Sequence, residues 1–338
     1  MNKVIIIAEA GVNHNGDIAL AKQLIDAAKI AKVDYVKFQT FKSENVVTKK
    51  AKKASYQKNN LKNRSQSQLQ MLRELELSHE DHLELISYCE KKNVSFFSTA
   101  FDIESLVYLK ELGLKIVKIP SGEITNLPFL RKAAELFSEV IISTGMSTIE
   151  DVKIALEVFV NSGISKSKIS ILHCNTQYPT PMKDVNLLAM KHIQKELNVK
   201  VGYSDHTLGI EVPIAAVALG ALVIEKHFTL DRSLPGPDNS ASLEPKELIK
   251  MVNSIRNIEK AISGNGKKVI SESERENYKI VRKSIVARTK IKKGEVFSEK
   301  NLTTKRPGTG ISPMFWDEVI GQTADFFFKK DDLIKIKK

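Results

Sequence analysis

The stretch VGYSDHTLGIEVPIAAVALGALVIEKHFTLD, Val201 to Asp231, decides how the rest of the chain reads. A short extended piece, Val201–Tyr203, ends in the polar cluster Ser204-Asp205-His206. An apolar helix of small residues follows, from about Val212 to Leu219, and the buried run Ala221–Ile224 then ends in Glu225-Lys226-His227. One strand–helix–strand unit separates the histidines, so they fall at equivalent ends of consecutive parallel strands. Such strands lie about 4.8 Å apart, and imidazoles leaving neighbouring ends can reach one ion. Either histidine alone is equally well explained by a hydrogen bond in a loop. The repeated polar ending favours a metal-holding pair.

Working outward, the same alternation of apolar runs and amphipathic helices fills the chain. Strands are expected at Val4–Ala8, Tyr35–Phe38, Val94–Thr99, Ile116–Ile119, Val140–Ser143, Ile169–His173, Val201–Tyr203 and Ala221–His227. Helices are expected near Ile18–Lys32, His79–Lys92, Ile103–Leu112, Leu127–Phe137, Ile149–Ser162 and Asn186–Glu196, with starts at Asn186 and at Ser242-Leu-Glu-Pro. Short buried strands separated by helices imply βαβ units, and eight of them within about 250 residues imply a TIM (β/α)8 barrel. An open doubly wound sheet is the alternative, but no Gly-rich dinucleotide fingerprint follows the first strand. The polar segment Lys42–Ser78 interrupts the rhythm and is expected to pass over the barrel mouth, with one helix near Gln68–Leu75. After a helix over Glu244–Ile262 the character changes. Residues 1–265 are expected to form the barrel, 266–282 a linker, and 283–338 a small β-rich domain.

The formal charge of +12 is concentrated between Lys42 and Arg64 and at the C-terminus. Few aromatics interleave with those lysines and no nucleic-acid-binding motif is present, so the run reads as a solvated face or as a field attracting an anionic substrate. Two cysteines make no disulfide framework. Val4–Ala8 lacks the flanks of a signal peptide, and no apolar stretch approaches the roughly 20 residues that span a bilayer. A cytoplasmic protein without nucleic-acid or membrane partners is expected.

Barrel enzymes carry their catalytic residues at the C-terminal strand ends, and here those ends are all polar. They supply Glu9 and Asn13-His14-Asn15-Gly16; Lys37 and Gln39; Ser98 and Thr99; Lys118, Ser121 and Glu123; Ser143-Thr144-Gly145; and His173 to Tyr178. Lys37 and Lys118, with Thr99, Ser121, Ser143 and Ser204, offer cations and hydroxyls suited to a small substrate bearing phosphate and carboxylate. A lysine on a barrel strand equally suits a Schiff-base aldolase. Two neutral imidazoles plus waters leave open positions on an ion that can polarise a carbonyl, and Mn²⁺, Mg²⁺ and Co²⁺ all satisfy such a pair.

Several motifs occur in order: Ala8-Glu-Ala-Gly-Val-Asn-His-Asn-Gly16, Val36-Lys-Phe-Gln-Thr40, Lys118-Ile-Pro-Ser-Gly-Glu123, Ser143-Thr-Gly-Met146, Tyr178-Pro-Thr-Pro181, Gly202-Tyr-Ser-Asp-His-Thr207 and Glu225-Lys-His-Phe228. Together they resemble the sialic acid synthase family. Ile291-Lys-Lys-Gly-Glu-Val and Lys305-Arg-Pro-Gly308 resemble its antifreeze-like (SAF) domain.

The resemblance implies condensation of phosphoenolpyruvate with an N-acylated hexosamine, giving a nine-carbon α-keto sugar acid and phosphate. It implies a divalent metal on His206 and His227, Mn²⁺ being the first expectation, and phosphoenolpyruvate on Lys37, Thr99, Lys118, Ser121, Ser143 and Ser204. Glu9, Gln39, Phe101, Glu123, Thr176, Tyr178 and Asp238 are implied to face the acceptor, the water or the intermediate, with Glu9 or Glu123 as general acid–base. Arg306 is implied to reach the partner's site in a domain-swapped homodimer.

His173-Cys-Asn-Thr-Gln-Tyr-Pro-Thr-Pro181, Tyr203–Glu211 and Ala241–Pro245 are most similar to the bacterial legionaminic acid branch, whose acceptor is 2,4-diacetamido-2,4,6-trideoxymannose. Phe38 and Phe41 stand where capsule-type sialic acid synthases often carry histidines, and an apolar pair there would suit a 6-deoxy sugar. Gln177 stands where the legionaminic branch is expected to carry glutamate, and Thr176 replaces an asparagine of the capsule-type enzymes. The competing readings are a synthase for N-acetylmannosamine, a Schiff-base aldolase on Lys37 or Lys118, and a carbohydrate- or ice-binding module on an inert barrel.

Overall fold

Eight strands pair edge to edge in the computed structural model, which describes residues 3–54, 57, 60 and 67–337. They are β1 (Ile5–Gly11), β2 (Tyr35–Thr40), β3 (Ser95–Ala100), β4 (Ile116–Ile119), β5 (Glu139–Ser143), β6 (Ile169–Cys174), β7 (Lys200–Asp205) and β8 (Val223–His227). All neighbours run parallel in sequence order, and β1 returns onto β8 with Ile5 opposite Val223 and Glu9 opposite His227. That last pairing closes a (β/α)8 barrel and removes the open sheet from consideration.

Several strands extend past the apolar runs that announced them. β7 continues to Asp205 because the ladder bonds backbone rather than side chains, so Ser204 and Asp205 pair with Glu225 and Lys226. Helix starts follow side-chain caps. The Asp17 carboxylate accepts from Ala19 N–H at 2.7 Å, and reciprocal Ser78–Asp81 and Thr148–Asp151 bonds open the helices His79–Lys92 and Ile149–Asn161. Asn186 and Ser242 do not cap their helices, which begin at Leu188 and Pro245. Asn186 takes a left-handed φ of 43°, and Ser242 instead binds the Asp238 carbonyl at 2.8 Å.

Period-two alternation sorts the strand residues into two environments. Outward residues join the main core between strands and helices, with Ile6, Val36, Val117, Val140 and Ile224 among them. Inward residues form a dry layer of Ile7, Phe97, Ile141, Leu172 and Val223. Two residues further along the same strands come Glu9, Thr99, Ser143, Cys174 and Glu225, which line a cavity. The dry layer is thus the floor on which the polar layer stands.

The Lys42–Ser78 excursion holds the helix Gln68–Leu75, whose Met71 and Leu75 pack with Val12 and Phe41. Lys49, Lys50 and Lys52 are exposed as a solvated face requires, but Lys53 is buried, and Lys58 and Lys62 lie outside the described residues. Asn60 donates to the Pro237 carbonyl at 2.6 Å, tying the excursion to the segment after β8.

The chain divides into two compact units between Ser263 and Gly264. Within the second, β9 (Ser284–Ala287) and β10 (Leu302–Lys305) form an antiparallel ribbon over a core that includes Ile291, Phe297, Val319 and Phe328. The stretch 266–282, expected as a linker, holds a turn at Glu272–Glu274 and the helix Arg275–Val281, and the Lys279 carbonyl accepts from Gly308 N–H at 2.7 Å. It is therefore attached to the small unit. Among the described residues no helix is long and apolar enough to cross a membrane.

Candidate active site

The strand ends of the barrel open into a cavity of about 580 Å³. Glu225, from the middle of β8, sits at its base. Its carboxylate accepts from Lys118 Nζ and Ser204 Oγ at 3.2 and 3.0 Å and lies 3.2 Å from Lys37 Nζ. Lys37 also reaches Glu9 at 3.0 Å and donates to Thr99 Oγ1 at 2.8 Å, and Gln39 donates to Glu9 at 3.3 Å. These charges are almost wholly buried, so each leans on its partners.

The electrostatics follow from that crowding. Burial opposes the ionisation of Glu225, but Lys118 and Lys37 outweigh it and hold the carboxyl far below the usual carboxylate range. Glu9 goes the other way: burial pushes it up to about 7, against the pull of Lys37. Burial also works against the charge on Lys37, yet Glu225 and Glu9 together raise it; for Lys118 burial prevails and lowers it. The two lysines at this base are thus unlike.

On one side of the cavity His206 and His227 present rings 5.4 Å apart. Tyr178 stacks on His206 at 3.9 Å and meets His227 edge-on at 5.5 Å. His206 Nδ1 is hydrogen-bonded to the Asn175 carbonyl, which assigns the hydrogen to Nδ1 and leaves Nε2 as an acceptor. Burial drives His206 down to about 4 and, joined by the neighbouring imidazole, drives His227 well below its ordinary value. Both rings are neutral at pH 7, the state that ligates metal. His227 Nδ1 is buried without a hydrogen-bond partner, with Asp238 4.0 Å away. Among the described residues no cluster of three His, Cys, Asp or Glu side chains forms a ready cage. Two imidazoles fit a divalent ion whose remaining positions are filled from outside the chain.

Serine hydroxyls and a thiol complete the wall. Ser121 Oγ accepts from Gly145 N–H at 3.0 Å and lies 3.2 Å from Cys174 Sγ. A Cβ on Gly145 would meet Thr176 Cγ2 at 2.4 Å, so only glycine lets the β5 and β6 ends close here. Ser143 Oγ is buried without a partner, a donor held ready for something in the cavity.

Thirteen of the expected site residues line this one cavity: Glu9, Lys37, Gln39, Thr99, Phe101, Lys118, Ser121, Ser143, Thr176, Tyr178, Ser204, His206 and His227. Three do not. Glu123 is turned away by the short helix Ser121–Glu123 and accepts from Asn126 Nδ2 at 2.6 Å. Asp238 stands behind His227, buried and pushed up to about 7 by burial and by Glu9. Arg306 belongs to the small unit, where its Nε donates to the Val281 carbonyl at 3.0 Å.

The apolar pair expected to face a deoxy sugar is also corrected. Phe38 points outward from β2 and stacks on Phe96 at 5.7 Å, and Phe41 is buried with Met71 and Leu75; neither lines the cavity. Among the strand-end polar residues, Ser98 bonds outward to Thr40 at 2.6 Å, and His173 lies against the Val185 carbonyl. Reading residues at strand ends without their parity missed Glu225 and Cys174. The signal was available for Glu225, which shares a face with His227 two residues on. Ala54 and Gln57 were missed because their approach depends on the path of the excursion.

A closed parallel barrel with paired imidazoles and a buried lysine–carboxylate nest at its strand ends defines a (β/α)8-barrel enzyme. Residues 24–268 match the model of the NeuB family and residues 282–338 that of the SAF domain. The chain belongs to the NeuB family and carries a SAF domain at its C-terminus. An N,N'-diacetyllegionaminic acid synthase from Campylobacter jejuni is 54% identical over 335 residues, covering 99% of this chain and 100% of the relative. One from Legionella pneumophila is 48% identical, covering 94% of this chain and 89% of the relative. The crystal structure of an N-acetylneuraminic acid (sialic acid) synthetase from Leptospira borgpetersenii, in complex with citrate, superposes with a TM-score of 0.72 at 38% identity, covering 82% of this chain and 90% of that one.

Proposed function

We propose that this protein condenses phosphoenolpyruvate with 2,4-diacetamido-2,4,6-trideoxymannose, giving N,N'-diacetyllegionaminic acid and phosphate. The observation that carries it is the buried nest of Lys37 and Lys118 with Thr99, Ser143 and Ser204 beside two neutral imidazoles. Near full-length likeness to two legionaminic acid synthases favours this acceptor over N-acetylmannosamine. Against a Schiff-base aldolase, Lys37 is held in its charged form by two carboxylates, and a protonated amine is no nucleophile; near full-length likeness to condensing synthases weighs against Lys118 in that role.

In this reading the lysines and hydroxyls hold the phosphate and carboxylate of the enol phosphate. C3 of phosphoenolpyruvate bonds to the aldehyde carbon of the open-chain sugar, and water adds at C2. The tetrahedral intermediate then expels phosphate as its C2–O bond breaks. A divalent ion on His206 and His227, Mn²⁺ first and Mg²⁺ or Co²⁺ as alternatives, would supply Lewis-acid polarisation of the carbonyl when bound. Of the two glutamates weighed for proton transfer, Glu9 is the one on the cavity wall, so it holds or moves the proton at the aldehyde oxygen or at the water. Phe101, Met146 and Tyr178 provide the apolar side of the acceptor's berth. Arg306 is proposed to complete the site of a partner subunit in a homodimer.

Phosphate release, measured with phosphoenolpyruvate and a panel of aldohexosamines, tests the reading. Release is expected with the diacetamido-trideoxy sugar at a kcat/KM at least about tenfold above N-acetylmannosamine. EDTA is expected to abolish it and Mn²⁺ to restore it. Borohydride trapping of substrate on a lysine, with turnover surviving EDTA, would establish the aldolase instead.

A further inference from the structure

Behind the cavity wall Asp205, Thr207 and Lys226 form a charged cluster with no solvent exposure at all. Asp205 and Lys226 are the last register pair between β7 and β8, and parity turns both away from the cavity. Lys226 Nζ contacts Asp205 Oδ2 and the Thr207 carbonyl, each at 2.5 Å. The Asp205 carboxylate in turn accepts from Thr207 N–H and Thr207 Oγ1, both at 3.0 Å. One ammonium group therefore grips the residues on either side of His206, while its own backbone runs directly into His227.

A buried ion pair adds little stability over apolar residues of the same volume, so its retention needs another account, and holding one conformation is the best attested. The geometry here supplies the thing to be held. His206 is fixed through its ring nitrogen to the Asn175 carbonyl, whereas His227 Nδ1 makes no hydrogen bond and has Asp238 4.0 Å behind it. Between β7 and β8 the Asp205–Lys226 pair is the last in register, so the ladder joining these two strands does not itself set how far apart the two rings stand.

We propose that the Lys226–Asp205 pair, with Thr207, is a positioning device that sets the separation and aim of the His206 and His227 rings. The proposal rests on the reading that these rings hold a divalent ion. It assigns to residues off the cavity a control over that site, as supporting groups do elsewhere by about 10–100-fold in metal affinity.

The test titrates the full-length protein with Mn²⁺ alone, reading free Mn²⁺ by EPR and counting bound ¹⁴N couplings by pulsed EPR. The wild type is expected to show couplings from two imidazoles. Asp205→Asn combined with Lys226→Met removes both charges together and is expected to raise the Mn²⁺ Kd about 10–100-fold and to alter the couplings. His206→Ala and His227→Ala are controls. If both bind Mn²⁺ like the wild type, the metal reading itself has failed. If they lose Mn²⁺ while the double variant keeps either the wild-type Kd or the wild-type couplings, the positioning role is overturned. Should the double variant not fold, Thr207→Val is judged by the same two readouts, with a rise in Kd of about threefold expected.

Discussion

Two ammonium groups share one carboxylate at the base of the cavity, and that arrangement sets what Glu225 can tolerate. Lys37 and Lys118 both lie 3.2 Å from it, and all three side chains are at most 5% exposed. In Glu225→Gln Lys118 loses its counter-charge and Lys37 keeps only Glu9, and breaking a buried pair in this way costs roughly 3–5 kcal/mol. Urea denaturation is expected to show a loss of that order, and phosphate release is expected to fall at least about 100-fold as the cationic nest rearranges. A Glu225→Gln enzyme with wild-type stability and turnover would remove this carboxylate from the account. At the residue scale the chemistry was largely legible, because Lys, Glu, His and hydroxyl side chains at strand ends have few other uses. Which of two adjacent residues faced inward was not decided by type, as Ser98 and Thr99 show.

At the scale of elements, β7 and β8 act as one unit because their ends carry both imidazoles and Glu225. Gly202 lets them approach. A Cβ there would stand 2.3 Å from the Val223 carbonyl and 2.6 Å from a Leu172 methyl. Gly202→Ala must therefore push β7 off both neighbours, and overpacking of this kind costs about 1–3 kcal/mol. The expected outcome is a lower urea midpoint together with a larger fall in kcat/KM, since Ser204 and His206 move with the strand. A variant with unchanged midpoint would show that the barrel has slack at this position. The strand itself was readable from Val201–Tyr203, but its last two residues were not, because backbone pairing ignores side-chain polarity.

Across the whole molecule, the end of the barrel opposite the cavity is tied by Asp34. Its carboxylate accepts from Ile6 N–H at 2.9 Å and from Arg256 Nη2 at 2.7 Å, and pairs with Lys3 at 2.5 Å. Arg256, on the helix Pro245–Ala261, also donates to the Val4 carbonyl at 2.8 Å, so first strand and last barrel helix are joined. Burial opposes the Asp34 charge, but Lys3, the Ile6 amide and Arg256 outweigh it and lower its pKa. The unfolded chain binds that proton more readily, so the stabilisation is full above the ordinary Asp pKa and is lost as pH falls below about 4. Stability measured from about pH 6 to pH 3 should fall less steeply in Asp34→Asn than in the wild type. Identical slopes would rule out Asp34 as a contributor.

The proposed exchange of Arg306 between subunits is tested at the same scale. Arg306→Ala and His206→Ala, each inactive, are mixed under conditions of subunit exchange. A two-fold dimer with the arginine acting across the interface should recover about a quarter of wild-type phosphate release. No recovery would mean that each site is completed within its own chain.

By itself the order of apolar runs and helices determined eight βα units and pointed to a barrel, because that pattern can bury its faces in few other ways; the β1–β8 pairing closed it. The residue types at the strand ends likewise announced a polar, cationic mouth with a pair of imidazoles, while leaving condensation and Schiff-base chemistry both open. Only the tertiary structure decided that Glu225 lies between two lysines, that Phe38 and Glu123 face away, and that Lys226 ties Asp205 to Thr207 behind the cavity wall. Those outcomes depend on strand parity and register, which closing the barrel fixes and no local run of residues contains.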